Sequence, residues 1–264
     1  MGSEMCIRDR TEVIEPGVTR DHTERMLRGF GVDIETSGNK VRLRGGQQLK
    51  ATDIEVPADI SSAAFFMVGA SIVPGSDVLL EHVGVNPTRT GIIDILRLMG
   101  ADITLERERE VGGEPVADIR VRYAGLNGID IPEHLVPLAI DEFPALFVAA
   151  CSAKGTTRVS GGEELRVKET DRIAAMVKGL QAMGAKIEET PDGAIIAGEQ
   201  SLNGAEVESF GDHRIAMSFA IAGMVASGEM KILDCANVNT SFPQFVSLAK
   251  AAGLDIQASS GVAA

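Results

Sequence analysis

Excess positive charge is the first thing the sequence lacks. It has 25 Lys and Arg against 38 Asp and Glu, a net charge of −13. Too few cations are left over to neutralise a phosphate backbone, so nucleic acid is excluded as a partner. A small anionic ligand would have to be held by local islands of positive charge. Cysteine is scarce: Cys6, Cys151 and Cys235 are odd in number, far apart and without CxxC spacing. That excludes a disulfide framework and indicates a reducing compartment, with the cytoplasm as the expected location. Four scattered His residues show no ligand spacing, so no metal site is expected. No apolar run is long and unbroken enough to cross a bilayer, and no signal-peptide pattern is seen, so no membrane role is expected. Phosphate-loop, dinucleotide and nucleophile-elbow signatures are also absent. Aromatics make up only 4% of the chain, while Gly is abundant at 29 residues. Small side chains imply tight helix–sheet packing and many turns.

What is present is repetition. "LRGFGVDI" (27–34), "LRLMGADI" (96–103), "LQAMGAKI" (180–187) and "AKAAGLDI" (249–256) are four versions of one phrase. Each reads as the end of an amphipathic helix, a Gly after its last turn, then a strand. A second phrase interleaves: Asp59, Asp141 and Asp212 each open a helix of small apolar residues, followed by a Gly turn and a β-rich strand. Each Asp is expected at or near a helix N-cap. A polar loop and a second helix follow: "NPTRTG" (86–91), "RVKETDR" (166–172) and "NTSFPQF" (239–245) open these stretches.

The expected fold is α/β (α+β), a domain of repeated βαβαββ units with pseudo-threefold symmetry. Three units occupy 58–264, and the small-residue helices are buried within. Residues 11–57 read as the remnant of a first domain. Residues 1–10, "MGSEMCIRDR", read as a cloning remnant or misplaced start.

Helix starts favour anions through partial positive charge and unpaired N–H groups. If the units are related by symmetry, their loops face one cleft, bringing together Arg89, Lys168, Arg172 and Arg214 with Asp59, Asp141, Asp212 and Glu169. Lys168 and Arg172, four apart, would share one helix face and clamp an anion, with Glu169 placed to give or take a proton. A solvated charged first turn remains open. Arg214, opening an apolar helix, would either pair with Asp212 or bind an anion. Asp141 would be a helix cap or a catalytic group, and Arg20 with His22 either a surface cap or part of the site.

"IDEFP", "LRVKETDR", "GDHRIAM" and "NTSFPQF", in that order, with "TRDHTE" and "NPTRTG" before them, resemble the 5-enolpyruvylshikimate-3-phosphate synthase family, in the branch that includes glyphosate-tolerant bacterial forms. The resemblance runs from about Thr11 to the C-terminus. It implies two domains of βαβαββ units closing on their substrates, and transfer of the enolpyruvyl group of phosphoenolpyruvate to the 5-hydroxyl of shikimate 3-phosphate. Phosphate is released by addition and elimination, with no metal and no organic cofactor, in a monomer. By the same resemblance Asp141 takes the hydroxyl proton, Glu169 protonates C3, and Lys168 contacts shikimate 3-phosphate and shares in proton transfer. Arg172 and Arg214 hold phosphoenolpyruvate, and Arg20 lies near the shikimate phosphate. Glu164 and Thr240 stand where the better-known branch has Asn and Lys. The family is longer at its N-terminus, so the chain is expected to be a C-terminal portion, inactive alone. The rival readings are a UDP-N-acetylglucosamine enolpyruvyl transferase-like enzyme and a non-catalytic binding or scaffold half.

Overall fold

The computed structural model describes residues 9–17 and 19–259. The reading of 1–10 as extraneous falls mostly outside them; its last residue, Arg10, belongs to a strand and pairs with Arg44.

Four segments repeat one architecture. The first is β1 (Arg10–Ile14), α1 (His22–Gly29), β2 (Ile34–Ser37) and β3 (Lys40–Arg44). The second is α2 (Ile60–Ile72), β4 (Asp77–Gly84), α3 (Gly91–Leu98), β5 (Asp102–Val111) and β6 (Glu114–Arg122). The third runs through a 3-10 segment (Pro137–Glu142), α4 (Phe143–Ser152), β7 (Thr156–Val159), α5 (Arg172–Ala182), β8 (Ile187–Thr190) and β9 (Gly193–Ala197). The fourth is β10 (Glu206–Glu208), α6 (His213–Gly223), β11 (Lys231–Leu233), α7 (Val238–Ser241) and α8 (Phe245–Ala251). The first three sheets share one strand order, β1-β3-β2, β4-β6-β5 and β7-β9-β8, with the hairpin's second strand in the middle. A leading segment lies parallel to the outer strand, through Ala58 with Val83 and Asp130 with Arg158.

The repeated Gly phrase has one physical cause. Gly31, Gly100, Gly184 and Gly253 all have positive φ, between 77° and 98°. At each helix end the Gly N–H reaches back to the carbonyl three residues earlier, and the next N–H to the carbonyl five residues earlier, as in Ala185 to Leu180. This paired closure satisfies the last carbonyls and requires a left-handed residue. Downstream, Gln47 bonds the backbone of Asp33, and Gln200 that of Lys186, in the same way. Residues 22–47 are therefore built like 172–200.

The fourth segment departs from the expectation of three full units. No strand follows Gly253 among the described residues. Its sheet holds only β10 and β11, parallel and in register from Glu206 with Lys231 to Glu208 with Leu233. The antiparallel strand that flanks β4 and β7 has no counterpart on β11 among the described residues.

The centre is formed by α2, α4 and α6, each packed against the other two. Their small, apolar composition allows this: twelve residues of α2 are buried, as are nine of α4. The second helices are amphipathic and cover the outside. Where α5 crosses α6, a Cβ on Gly179 would lie 2.1 Å from Cζ of Phe219, so only Gly fits. Phe242 and Phe245, from "NTSFPQF", pack edge-on or tilted against Phe65 and Phe66 of α2. No helix among the described residues is long and apolar enough to cross a membrane.

Candidate active site

The central packing sets the first turns of α2, α4 and α6 side by side, each led by an acid. Asp59 caps α2 by accepting from Ser62 N at 2.9 Å. Asp212 caps α6 by accepting from Arg214 N at 2.8 Å and Ile215 N at 3.3 Å. Asp141 breaks the pattern: it lies next to the cap position, as expected, but does not cap the helix. It lies inside the 3-10 segment, and the cap position of α4 falls to Glu142, with no side-chain cap bond. Pro144 in the first turn removes an N–H that a capping carboxylate would use. The Asp141 carboxylate is thereby left for side chains.

Four cations converge on it. Arg20 donates from Nη2 at 2.6 Å, and Arg172 Nη1 lies at 3.4 Å. Arg214 Nη2 is at 3.6 Å and Lys168 Nζ at 3.9 Å. Burial pushes the Asp141 carboxyl up, but the Arg214 and Arg20 guanidiniums and the Lys168 ammonium outweigh it, holding it down at about 2. Asp141 is a carboxylate at every ordinary pH.

Lys168 and Arg172 do not share a helix face. Lys168 ends a 3-10 turn (Glu163–Val167), Asp171 caps α5, and Arg172 is its first residue. They meet at Asp141 because the chain turns between them. Arg172 is 2% exposed and engaged by three acids: Nε on Asp212 at 2.8 Å, Nη2 on Glu169 at 2.6 Å, and Nη1 on Asp141. Asp212 therefore pairs with Arg172 and not, as one reading had it, with the side chain of Arg214. Arg214 turns the other way, to the carbonyl of Asp141 at 3.3 Å and to Glu142 at 3.7 Å. Glu169 is half exposed and held by the guanidinium of Arg172. Lys168 also takes a hydrogen bond partner in Glu164, the branch-specific residue. Thr240 is exposed on α7, and the "NTSFPQF" segment contributes its rings to the core instead of cations to this cluster.

Behind the cluster lies a group that sequence reasoning missed. Glu142 is buried, accepts from Ser61 Oγ and faces Arg214; burial pushes its carboxyl up. Arg89 donates to Ser61 Oγ at 2.7 Å and to Asp59 at 2.9 Å. A second acid beside Asp141 at the head of an apolar helix was the available signal. His213, half-buried at the start of α6, is pushed down by burial and by the neighbouring Arg214 guanidinium. No group of three or more His, Cys, Asp or Glu among the described residues is arranged to hold a metal. A cavity of about 340 Å³ lies to one side, walled partly by His22, Val56, Asn86, Arg89 and Glu114. Asp141, Lys168, Glu169, Arg172 and Arg214 do not border it.

The arrangement offers a carboxylate amid four cations, with a tethered second acid, suited to anions whose reaction moves protons. The chain as a whole is extensively similar to known proteins. The family model for EPSP synthase (3-phosphoshikimate 1-carboxyvinyltransferase) matches residues 1–248. The 3-phosphoshikimate 1-carboxyvinyltransferase of Acidithiobacillus ferrooxidans is 64% identical over 251 residues, 95% of this chain and 58% of that protein. The protein of the same name from Methylococcus capsulatus is 63% identical over 250 residues, 95% of this chain and 57% of its own length. Among solved structures, EPSP synthase from Acinetobacter baumannii superposes with a TM-score of 0.91 at 56% identity, covering 94% of this chain and 57% of that one. The enolpyruvyl transferase NikO from Streptomyces tendae, 16% identical with a TM-score of 0.74, shares the fold. The chain spans a little over half the length of the relatives it matches. Repeats, motif order, fold and identity agree, and the chain belongs to the EPSP synthase (3-phosphoshikimate 1-carboxyvinyltransferase) family.

Proposed function

We propose that this chain forms part of an enzyme that transfers the enolpyruvyl group of phosphoenolpyruvate to the 5-hydroxyl of shikimate 3-phosphate, releasing phosphate. The observation that carries the reading is the convergence of Arg20, Lys168, Arg172 and Arg214 on Asp141, with Glu169 one guanidinium away. Both substrates are polyanions and need such cations. Residues 11–57 belong to the first domain and 58–264 to the C-terminal domain, so the substrates sit where Arg20 reaches across to Asp141. The enzyme works as a cytoplasmic monomer.

In this reading Asp141 takes the 5-hydroxyl proton, Glu169 protonates C3 of phosphoenolpyruvate, and Lys168 contacts shikimate 3-phosphate. Arg172 and Arg214 hold phosphoenolpyruvate, and Arg20 lies near the shikimate phosphate. The free site gives this a physical logic. Asp141, held at about 2 by its cations, is a weak base. Substrate anions that draw off Arg20, Lys168 and Arg214 would raise its basicity as they bind, so the base strengthens when there is a hydroxyl to deprotonate.

The test combines the chain with the N-terminal remainder of the Acidithiobacillus ferrooxidans relative and follows phosphate release from the two substrates. Release is expected, and Glu169→Gln should cut it by about 10²-fold or more while leaving binding nearly intact. No release by the combination, or an unimpaired Glu169→Gln, overturns the reading.

A further inference from the structure

Arg20 reaches Asp141 from a part of the chain with little to hold it. α1, which follows, has no buried residue, and the Arg20 side chain is 47% exposed. An ion pair that open contributes little by itself. The residues after Arg20 in "TRDHTE" are Asp21 and His22, which the proposed chemistry does not use.

Both are gripped by the neighbouring segment. Asn86 is 2% exposed. Its Oδ1 accepts from Thr88 N at 2.9 Å and Thr88 Oγ1 at 2.8 Å, which fixes the amide so that Nδ2 faces α1. Nδ2 then donates to Asp21 Oδ1 at 2.6 Å and to Glu114 Oε2 at 3.1 Å. The other oxygen of Glu114 takes the Nδ1 proton of His22 at 2.7 Å. Glu114 opens β6 just after the Gly112–Gly113 turn, whose positive φ values fold the β5–β6 tip toward α1. Arg25 completes the grip, bonding Asp21 at 2.8 Å and the carbonyl of Gly113 at 3.2 Å.

We propose that Asn86 and Glu114 are positioning residues: by clamping Asp21 and His22 they fix the first turn of α1, and so hold Arg20 against Asp141. The inference rests on the reading of Arg20 as part of the substrate site. An amide is required at position 86, because it donates to two carboxylates at once. A carboxylate of the same shape there would face both with like charge.

The experiment uses the 264-residue chain and needs no ligand. The Asp141 carboxyl is titrated by carbon NMR, with Arg20, Lys168, Arg172 and Arg214 the charged groups facing it, and amide exchange is followed along α1. Arg20→Gln, which removes one of those cations, should lift the Asp141 midpoint by about one pH unit from about 2. Asn86→Asp should lift it nearly as far, and should speed exchange over residues 22–29 at least tenfold while α2, α4 and α6 stay protected. Asp21→Asn added to Asn86→Asp restores a donor–acceptor pair and should recover part of both effects. Glu114→Gln carries the same test if Asn86→Asp does not fold. If Arg20→Gln moves Asp141 and the clamp variants do not, the clamp is refuted and the reading of Arg20 stands. If neither moves it, the Arg20–Asp141 pair does not form in solution, and both fall.

Discussion

Replacing Asp141 by Asn tests how much the fold depends on its own site. The substitution keeps shape and removes charge, mimicking the protonated acid. Asp141 ordinarily titrates at 3.8 and is held here at about 2. At about 1.4 kcal/mol per pH unit, its charge contributes about 2 kcal/mol to stability at neutral pH. The sign follows from a folded value below the unfolded one. The contribution is fully present above the unfolded value and is lost as pH falls through the folded one. Urea unfolding of wild type and Asp141→Asn should therefore differ by about 2 kcal/mol at pH 7, by nearly as much at about pH 4, and by about half as much at about pH 3. A gap that is the same at pH 3 and pH 7 would refute the reasoning, as would an Asn variant more stable than wild type at pH 7. Either result would mean that the four cations do not bear on this carboxylate in solution.

Asp212→Ala should be far more damaging, by about 4 to 5 kcal/mol in urea unfolding, because it removes a helix cap and leaves the buried Arg172 without its 2.8 Å partner. Asp212→Asn, which keeps the cap, should cost clearly less. Gly179→Ala should lower the thermal midpoint, since a Cβ 2.1 Å from the buried Phe219 ring costs about 1 to 3 kcal/mol in overpacking, more than the helix-propensity gain. Glu142→Gln should flatten the pH dependence: with its folded value raised by burial, wild type loses stability as pH rises through that value, and the Gln variant should not. An unchanged slope would remove Glu142 from the buried network.

The repeats were legible because their cause is local. Four Gly residues sit where the backbone must turn left-handed, and the periodic apolar residues before them mark the helix that ends there. The identity of the charged residues was legible too, but their partners were not. Spacing put Lys168 and Arg172 on one helix face, whereas the helix begins only at Arg172. Asp141 reads like Asp59 and Asp212 in sequence, yet Pro144 two residues into α4 takes away the capping role. Which acid meets Arg172, and that Glu142 is buried against Ser61, depend on how three helices from distant segments pack. No periodicity within one segment encodes that.

The two-stranded sheet has a practical consequence. β11 offers one edge to β10 and, among the described residues, none to a further strand, where the corresponding strands β4 and β7 are each paired antiparallel. Unsatisfied strand edges recruit other strands, including those of a second molecule. The Lys231–Glu206 pair ties β11 to β10 through side chains, and the Cys235 thiol donates to the carbonyl of Ile232 at 3.3 Å. Handled alone at high concentration, the chain should self-associate first at β11, so light scattering against concentration is the measurement to make before any titration of its site.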